Sequence, residues 1–357
     1  MTITKKVLFA ALGALVLGGG VAWVKREAIT LKVVEKIIRE RMQDPLASLP
    51  DGLHVALCGT GSPFPDPQRA APCTMVIAGK TVLQFDAGSS APRQINRMGL
   101  STGPIQATFL THFHSDHIDG LGELMMTRWA QQSSNKPMLL IAPKGGESVL
   151  AGFIEAYRND TRYRTAHHGV DTMNPEMSGA KGVFFEPTAL STVFEEAGVK
   201  VEAFAVKHPP IDPAVGYRVS YKGRTVVISG DTQPSDNLVE VSKGADLLLH
   251  EALHPELVGR LQSIAFESKR LKLAKIFQDI PNYHTTPLEV AQEAQKAGVK
   301  AVVLNHIVPP LPLPPMREIF MKGTSQAYNG PMTIGEDGDF YSLLPGDTGL
   351  KTGRRWQ

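Results

Sequence analysis

The chain has 357 residues, long for one domain and short for two large ones. Hydrophobic residues make up 42% and charged residues 20%, which supports a sizeable core and excludes a mostly disordered chain. With 37 Lys and Arg against 35 Asp and Glu, the net charge of +2 gives no bulk case for nucleic acid binding, and two cysteines exclude a disulfide-rich scaffold or a four-thiolate zinc site.

Lys5 and Lys6 precede an uncharged run from Val7 to Val24, which Lys25 and Arg26 close. As a helix the run would reach about 27 Å, slightly short of a bilayer core of roughly 30 Å. The basic start, the apolar middle and the small residues Gly20-Val21-Ala22 fit a signal peptide or membrane anchor over residues 1–26. A cleaved signal would place the body outside. An uncleaved anchor, with its excess of basic residues from Lys25 to Arg41, would place it in the cytoplasm. The expected location is the cell envelope, either exported to the periplasm or anchored in the inner membrane. Residues 27–50 read as an amphipathic linker helix whose basic face meets solvent or lipid.

The body, residues 51–357, alternates short β-rich runs with helical stretches, which predicts a layered α/β domain. Strands are predicted at Leu53–Cys58, Thr74–Ala78, Thr81–Asp86, Ile105–Thr111 and Pro137–Ala142, with a helix over Leu121–Gln131. Lys200–Val206, Tyr217–Tyr221 and Thr225–Ser229 follow as strands, the last two forming a hairpin about Lys222-Gly223. Leu247–His250 reads as a strand and Leu257–Gln278 as one long helix. Thr286-Pro287-Leu288-Glu289 is a capping box that starts another helix. Ala301–Asn305, Thr333–Ile334 and Phe340–Leu344 complete the strands. Residues 159–182 and 255–282 read as insertions, the first a polar loop and the second helical. The PPLPLPP run at 309–315 reads as a stiff extended segment. Cys58 and Cys73 are expected as buried free thiols, with a disulfide the alternative in an exported chain.

Thr111-His112-Phe113-His114-Ser115-Asp116-His117 follows a predicted strand directly. His112 and His114, as alternate residues, can face one ion, and Asp116 and His117 a second after a tight turn. Imidazole and carboxylate donors of this kind suit a divalent metal or a pair of them.

HxHxDH at a strand end resembles the metallo-β-lactamase superfamily. That resemblance implies a four-layer αβ/βα sandwich with two metals at one edge. His208 before Gly216-Tyr217-Arg218, and Ser229-Gly230-Asp231-Thr232, are similar to the ribonuclease Z and arylsulfatase-like branch. So are Gly59-Thr60-Gly61-Ser62-Pro63 and Phe85-Asp86-Ala87-Gly88. The resemblance implies His112, His114, Asp116, His117, His208, Asp231 and His306 as metal ligands, with Asp231 bridging. His168 is the rival to His208, and Asp86 either orients a ligand or only forms a turn. Two zinc ions are implied, with iron or manganese the alternatives. Asp116, Glu251 and His284 carry the catalytic roles: Glu251 of His250-Glu251-Ala252-Leu253 would orient His284, which would protonate the departing oxygen. The branch's motif ends in Thr where this chain has Leu253.

These readings predict hydrolysis of a small ester, an aryl sulfate or a phosphodiester, by water activated between two metals. The tight hairpin at Lys222-Gly223 leaves no room for the arm with which long-armed relatives grip tRNA. Ribonuclease Z-type tRNA 3′ processing is therefore the alternative, and nucleic acid the less favoured partner. A metal-binding module without activity is the non-enzyme alternative. A membrane contact through the N-terminal segment and a homodimer are compatible with the sequence.

Overall fold

The computed structural model describes residues 26–43, 46–131 and 136–356. The apolar run Val7–Val24 lies outside them. The chain divides between Leu49 and Pro50 into two units. In the first, the helix Arg26–Arg41 leaves Ile29, Leu31, Val33, Val34, Ile37 and Ile38 exposed among its cations. Among the described residues, no helix is long and apolar enough to cross a membrane.

The second unit holds two sheets built from β1 (Leu53–Gly59), β2 (Cys73–Ala78), β3 (Thr81–Phe85), β4 (Ile105–Phe109), β5 (Met138–Pro143), β6 (Ala180–Phe185), β7 (Ser191–Glu196), β8 (Val199–Ala205), β9 (Val215–Tyr221), β10 (Arg224–Ile228), β11 (Leu247–Leu253), β12 (Val302–Val308), β13 (Met332–Ile334), β14 (Asp339–Leu343) and β15 (Lys351–Arg354). The first sheet runs β15-β14-β1-β2-β3-β4-β5-β6 and the second β13-β12-β11-β10-β9-β8-β7. Pairing is parallel from β3 to β6 and from β10 to β13, and antiparallel elsewhere. Strands buried on both faces need near-continuous apolar runs, and β1, β2 and β11 are buried at every position.

The inner faces share one core. Phe85 and Phe109 stack at 4.7 Å, and Tyr217 of the facing sheet meets both at 5.4 Å. Helices Asp236–Val241, Pro287–Ala297 and Pro314–Phe320 cover the outer face of the second sheet through Leu238, Val290, Ala294 and Phe320. Helices Ala91–Arg97, Leu121–Gln131 and Gly146–His168 lie on the first. This is the four-layer αβ/βα sandwich that the sequence predicts.

Several elements differ from expectation. The predicted helix Leu257–Gln278 is two, Pro255–Glu267 and Leu271–Asp279, because Lys269 turns left-handed (φ 57°) and folds Val258, Ala265, Ala274 and Phe277 onto one apolar cluster. The supposed loop 159–182 is the end of the helix Gly146–His168, a short 3-10 turn and β6. That helix buries only Gly146 and Leu150, so it carries no apolar stripe to find. The polar edge strands β7 and β15 escape for the same reason. The PPLPLPP run is not extended throughout: Leu311 enters the core, and Pro314 and Pro315 open a helix. Cys58 and Cys73 are not free thiols. They form a disulfide across β1 and β2, with Cα atoms 5.0 Å apart, where the strand register slips between Leu57 and Gly59.

Candidate metal centre

The parallel strands end together, and loops at carboxyl ends of strands are where α/β sheets place their chemistry. β4 ends at Phe109. A short irregular stretch follows to His114, which is extended, and the helix Ser115–Ile118 begins at once, so Asp116 and His117 sit in its first turn. β10 delivers Asp231, β12 delivers His306, and the segment after β8 delivers His208. Gly230 (φ 64°) precedes Asp231 because a Cβ there would lie 2.6 Å from the Val215 carbonyl. His306 itself takes φ 46°, at the point where the β11–β12 register slips.

Among the described residues the donor atoms form three overlapping groups, each within 4.8 Å, and two of them hold all seven predicted ligands: His112, His114, His208 and Asp231 in one, and Asp116, His117 and His306 in the other. His112 Nε2 lies 2.8 Å from His114 Nδ1, and His208 Nε2 lies 3.4 Å from the same atom. His306 Nε2 is 3.2 Å from Asp116 Oδ2. Asp231 Oδ2 stands between the groups: 3.9 Å from His112, 4.0 Å from His208, 3.4 Å from His117 and 3.3 Å from His306. One carboxylate oxygen thus lies within 4.0 Å of donors in both groups.

These residues fit divalent cations. His117 Nε2 and Asp231 Oδ1 are buried without a hydrogen-bond partner, an arrangement that is costly unless a cation takes them. Burial and the neighbouring imidazoles push the proton affinity of His112 well down, and burial lowers that of His208, which favours neutral nitrogens at both. Burial opposes the charge on Asp231, yet His306 and His117 hold its carboxyl well below the ordinary range.

Outer contacts aim the rings. His117 Nδ1 donates to Asp86 Oδ2 at 2.8 Å, and Asp86 Oδ1 accepts the Thr111 N–H at 2.9 Å. His208 Nδ1 donates to the Tyr283 carbonyl at 2.9 Å. Each bond fixes the tautomer that leaves Nε2 free toward the centre. Asp86 thus orients a candidate ligand rather than merely forming a turn, while Tyr283 carried no sequence signal.

Glu251 Oε2 lies 3.2 Å from His284 Nδ1. Its other oxygen accepts the N–H groups of Thr285 at 2.9 Å and Thr232 at 3.3 Å. Burial would discharge His284, but the Glu251 carboxylate raises its pKa above the usual value. The His284 ring sits 5.3 Å from His208 and 5.5 Å from His306, and its donor atom also groups with Asp231 and His306. His168, the rival to His208, is exposed at the end of its helix and joins no donor group among the described residues. His54 bonds Ser342 and the Pro50 carbonyl, and His254 caps the helix Pro255–Glu267.

The family model for anti-Pycsar protein Apyc1 matches residues 53–258. The ribonuclease Z of Mycolicibacterium paratuberculosis is 33% identical over 287 residues, which are 80% of this chain and 96% of that protein. The human short-form tRNase Z superposes with a TM-score of 0.55 at 24% identity, over 80% of this chain and 96% of that one. The metallo-β-lactamase fold protein YhfI from Bacillus subtilis gives 0.59 at 18% identity, over 82% of this chain and all of that one. Those two likenesses speak to the fold, and the Mycolicibacterium relative to the family. With the metallo-β-lactamase fold, a strand-end cluster of imidazoles and carboxylates, and a relative matched over nearly its whole length, the chain belongs to the ribonuclease Z family of hydrolases, and residues 53–258 fall within the family of anti-Pycsar protein Apyc1.

Proposed function

We propose that the protein is a two-metal phosphodiesterase that cleaves an RNA phosphodiester, in the manner named by its ribonuclease Z relatives. The observation that carries the reading is the Glu251–His284 pair set against both donor groups. His112, His114, His208 and Asp231 would hold one divalent ion, and Asp116, His117, His306 and Asp231 the other, zinc by family resemblance and iron or manganese on donor chemistry. When bound, such ions act as Lewis acids that lower the pKa of water and neutralise charge on the phosphoryl oxygens. Glu251 keeps the Nδ1 proton of His284 in place, so Nε2–H is the end that faces a leaving oxygen. The buried walls exclude bulk water around that proton.

The name of the relatives outweighs the inference from net charge, which disfavoured nucleic acid. Nothing among them supports an aryl sulfate. A smaller nucleotide phosphodiester is the second reading. One observation favours it: β9 and β10 are joined only by Lys222-Gly223, both left-handed, in a two-residue hairpin with no arm. The Cys58–Cys73 disulfide supports an oxidising compartment, and hence the envelope location expected from the N-terminal run.

A hydrolysis panel with measured metal content tests the proposal: precursor tRNA, a dinucleotide, a nitrophenyl phosphodiester and an aryl sulfate. We expect turnover of phosphodiesters with about two metals per chain. Cleavage of precursor tRNA at its 3′ side would select the first reading, and cleavage of the dinucleotide alone the second. Turnover confined to the sulfate would overturn both.

A further inference from the structure

Two buried ionisable side chains beside the site have no part in the chemistry above. His250 is fully buried and Glu293 is 5% exposed. They meet the site through the peptide of Glu251. β10 pairs with β11 only as far as Ile228 against Leu249, and Ser229 N–H donates to the Leu249 carbonyl. One step further, where the chain turns away through Gly230 and Asp231, the Glu251 peptide has no strand beside it on that edge. Side chains take the place of the missing strand. The Glu251 N–H donates to Ser229 Oγ at 3.1 Å, and its carbonyl accepts from His250 Nδ1 at 2.7 Å.

His250 Nε2 then faces Glu293 Oε2 at 3.5 Å. The other Glu293 oxygen accepts the Ser235 N–H at 2.7 Å. Ser235 ends the loop that carries Asp231 and caps the helix Asp236–Val241. One carboxylate on the helix Pro287–Ala297 therefore ties together the strand bearing Glu251 and the loop bearing Asp231. Burial opposes charge on His250, but Glu293 and the Glu251 carbonyl raise its pKa, which favours hydrogens on both ring nitrogens.

We propose that His250 and Glu293 are positioning residues that lock the Glu251 peptide and the Ser229–Ser235 loop, so that Glu251 holds His284 toward the leaving oxygen. This rests on the reading of Glu251 and His284 as the acid pair. A pair that merely stabilised the fold would affect every substrate alike. A pair that aligns an acid matters most where the leaving group needs a proton.

The test compares two phosphodiesters on the full chain with measured zinc: one leaving as nitrophenolate, which departs unprotonated, and one as an alkoxide, which does not. His284→Ala is the reference and should lose about 100-fold or more in kcat on the alkoxide ester, far less on the other. Glu293→Ala should lose about 10-fold on the alkoxide ester and under about 3-fold on the nitrophenyl ester, with KM little changed, as expected for a group acting at one remove. Glu293→Gln keeps an acceptor for the Ser235 N–H and the side-chain volume, so it should show a smaller loss with the same selectivity. It decides the matter if Glu293→Ala does not fold. Equal losses on the two esters in the Glu293 variants, with selectivity kept in His284→Ala, would overturn the positioning role alone. Absence of selectivity in His284→Ala itself would remove the acid pair, and this proposal with it.

Discussion

The two sheets furnish the centre in different ways. The first sheet delivers four of the seven candidate ligands, His112, His114, Asp116 and His117, within one turn after β4. The second delivers the other three singly from three strands: His208 after β8, Asp231 after β10 and His306 within β12. The contiguous half is aimed by neighbours close in sequence and by Asp86 at the end of the adjoining strand. The dispersed half depends on remote segments: the Tyr283 carbonyl for His208, Glu293 for the loop of Asp231, and a left-handed residue at a register slip for His306. One half is therefore a property of a short stretch of chain, and the other a property of the finished fold.

Asp231 is where the halves meet, and its loss should have the largest effect. On the proposed reading, Asp231→Ala should leave neither ion well held and lower turnover by about 1000-fold or more, since it removes a donor of the first group and the carboxylate that stands 3.4 Å from His117 and 3.3 Å from His306 of the second. His114→Ala removes a donor from one group only and should spare about half of the metal. Metal analysis after gel filtration separates the two. If Asp231→Ala keeps two ions per chain, the two groups are independent and Asp231 is no bridge.

Asp86→Asn probes the contiguous half at one remove. The Asn can still accept from Thr111, but it offers His117 a weaker partner, or its amide nitrogen in place of an acceptor. We expect roughly a 10- to 100-fold loss in metal affinity or activity, the usual cost of an outer partner. A competitive chelator titration reads it, and an unchanged affinity would show that the His112–His117 turn orients itself.

This contrast also explains what the sequence could disclose. HxHxDH is legible because its geometry is local: alternate residues after a strand, then a tight turn. Asp231 and His306 are legible only through resemblance, since nothing local distinguishes Asp231 from a capping residue or His306 from a core histidine. Tyr283 acts through its backbone carbonyl, which any residue possesses, so no pattern marks it. The buried strands were found because burial on both faces forces apolar runs. The solvent-facing helix Gly146–His168 and the edge strands β7 and β15 were missed because little of them is buried.

The disulfide asks how far the halves share a scaffold. Cys58 and Cys73 close the Gly59–Pro72 loop, whose Thr60 carbonyl accepts the Ile307 N–H beside His306 and whose Pro72 carbonyl accepts the Gly88 N–H beyond Asp86. With the half-cystines 15 positions apart in sequence, its removal should cost about 3 kcal/mol by loop-closure entropy. A Cys58→Ser, Cys73→Ser double variant should show that loss in a urea titration. A loss near zero would mean that hydrogen bonds alone hold the loop in both states.

The gentlest probe is Asp337, on the crossing from β13 in the second sheet to β14 in the first. Its carboxylate accepts the N–H groups of Thr60 and Ala70 and the Thr60 hydroxyl, and so holds the same loop. Burial raises its pKa to about 6 against the efforts of those donors. A carboxyl with a folded pKa above its unfolded value contributes stability that is present below about pH 4 and is lost as pH rises through about 6. The shift corresponds to about 3 kcal/mol across that window. Both proteins should be titrated with urea between pH 4 and 7 at one metal concentration, so that titration of the ligands cancels in their difference. The stability advantage of the native chain over Asp337→Asn should shrink by that amount as pH rises. A difference that stays constant with pH would mean that the three donors just balance burial, so that the carboxyl titrates in the folded chain as it does in the unfolded one and ties the loop shared by both sheets at no cost as pH rises.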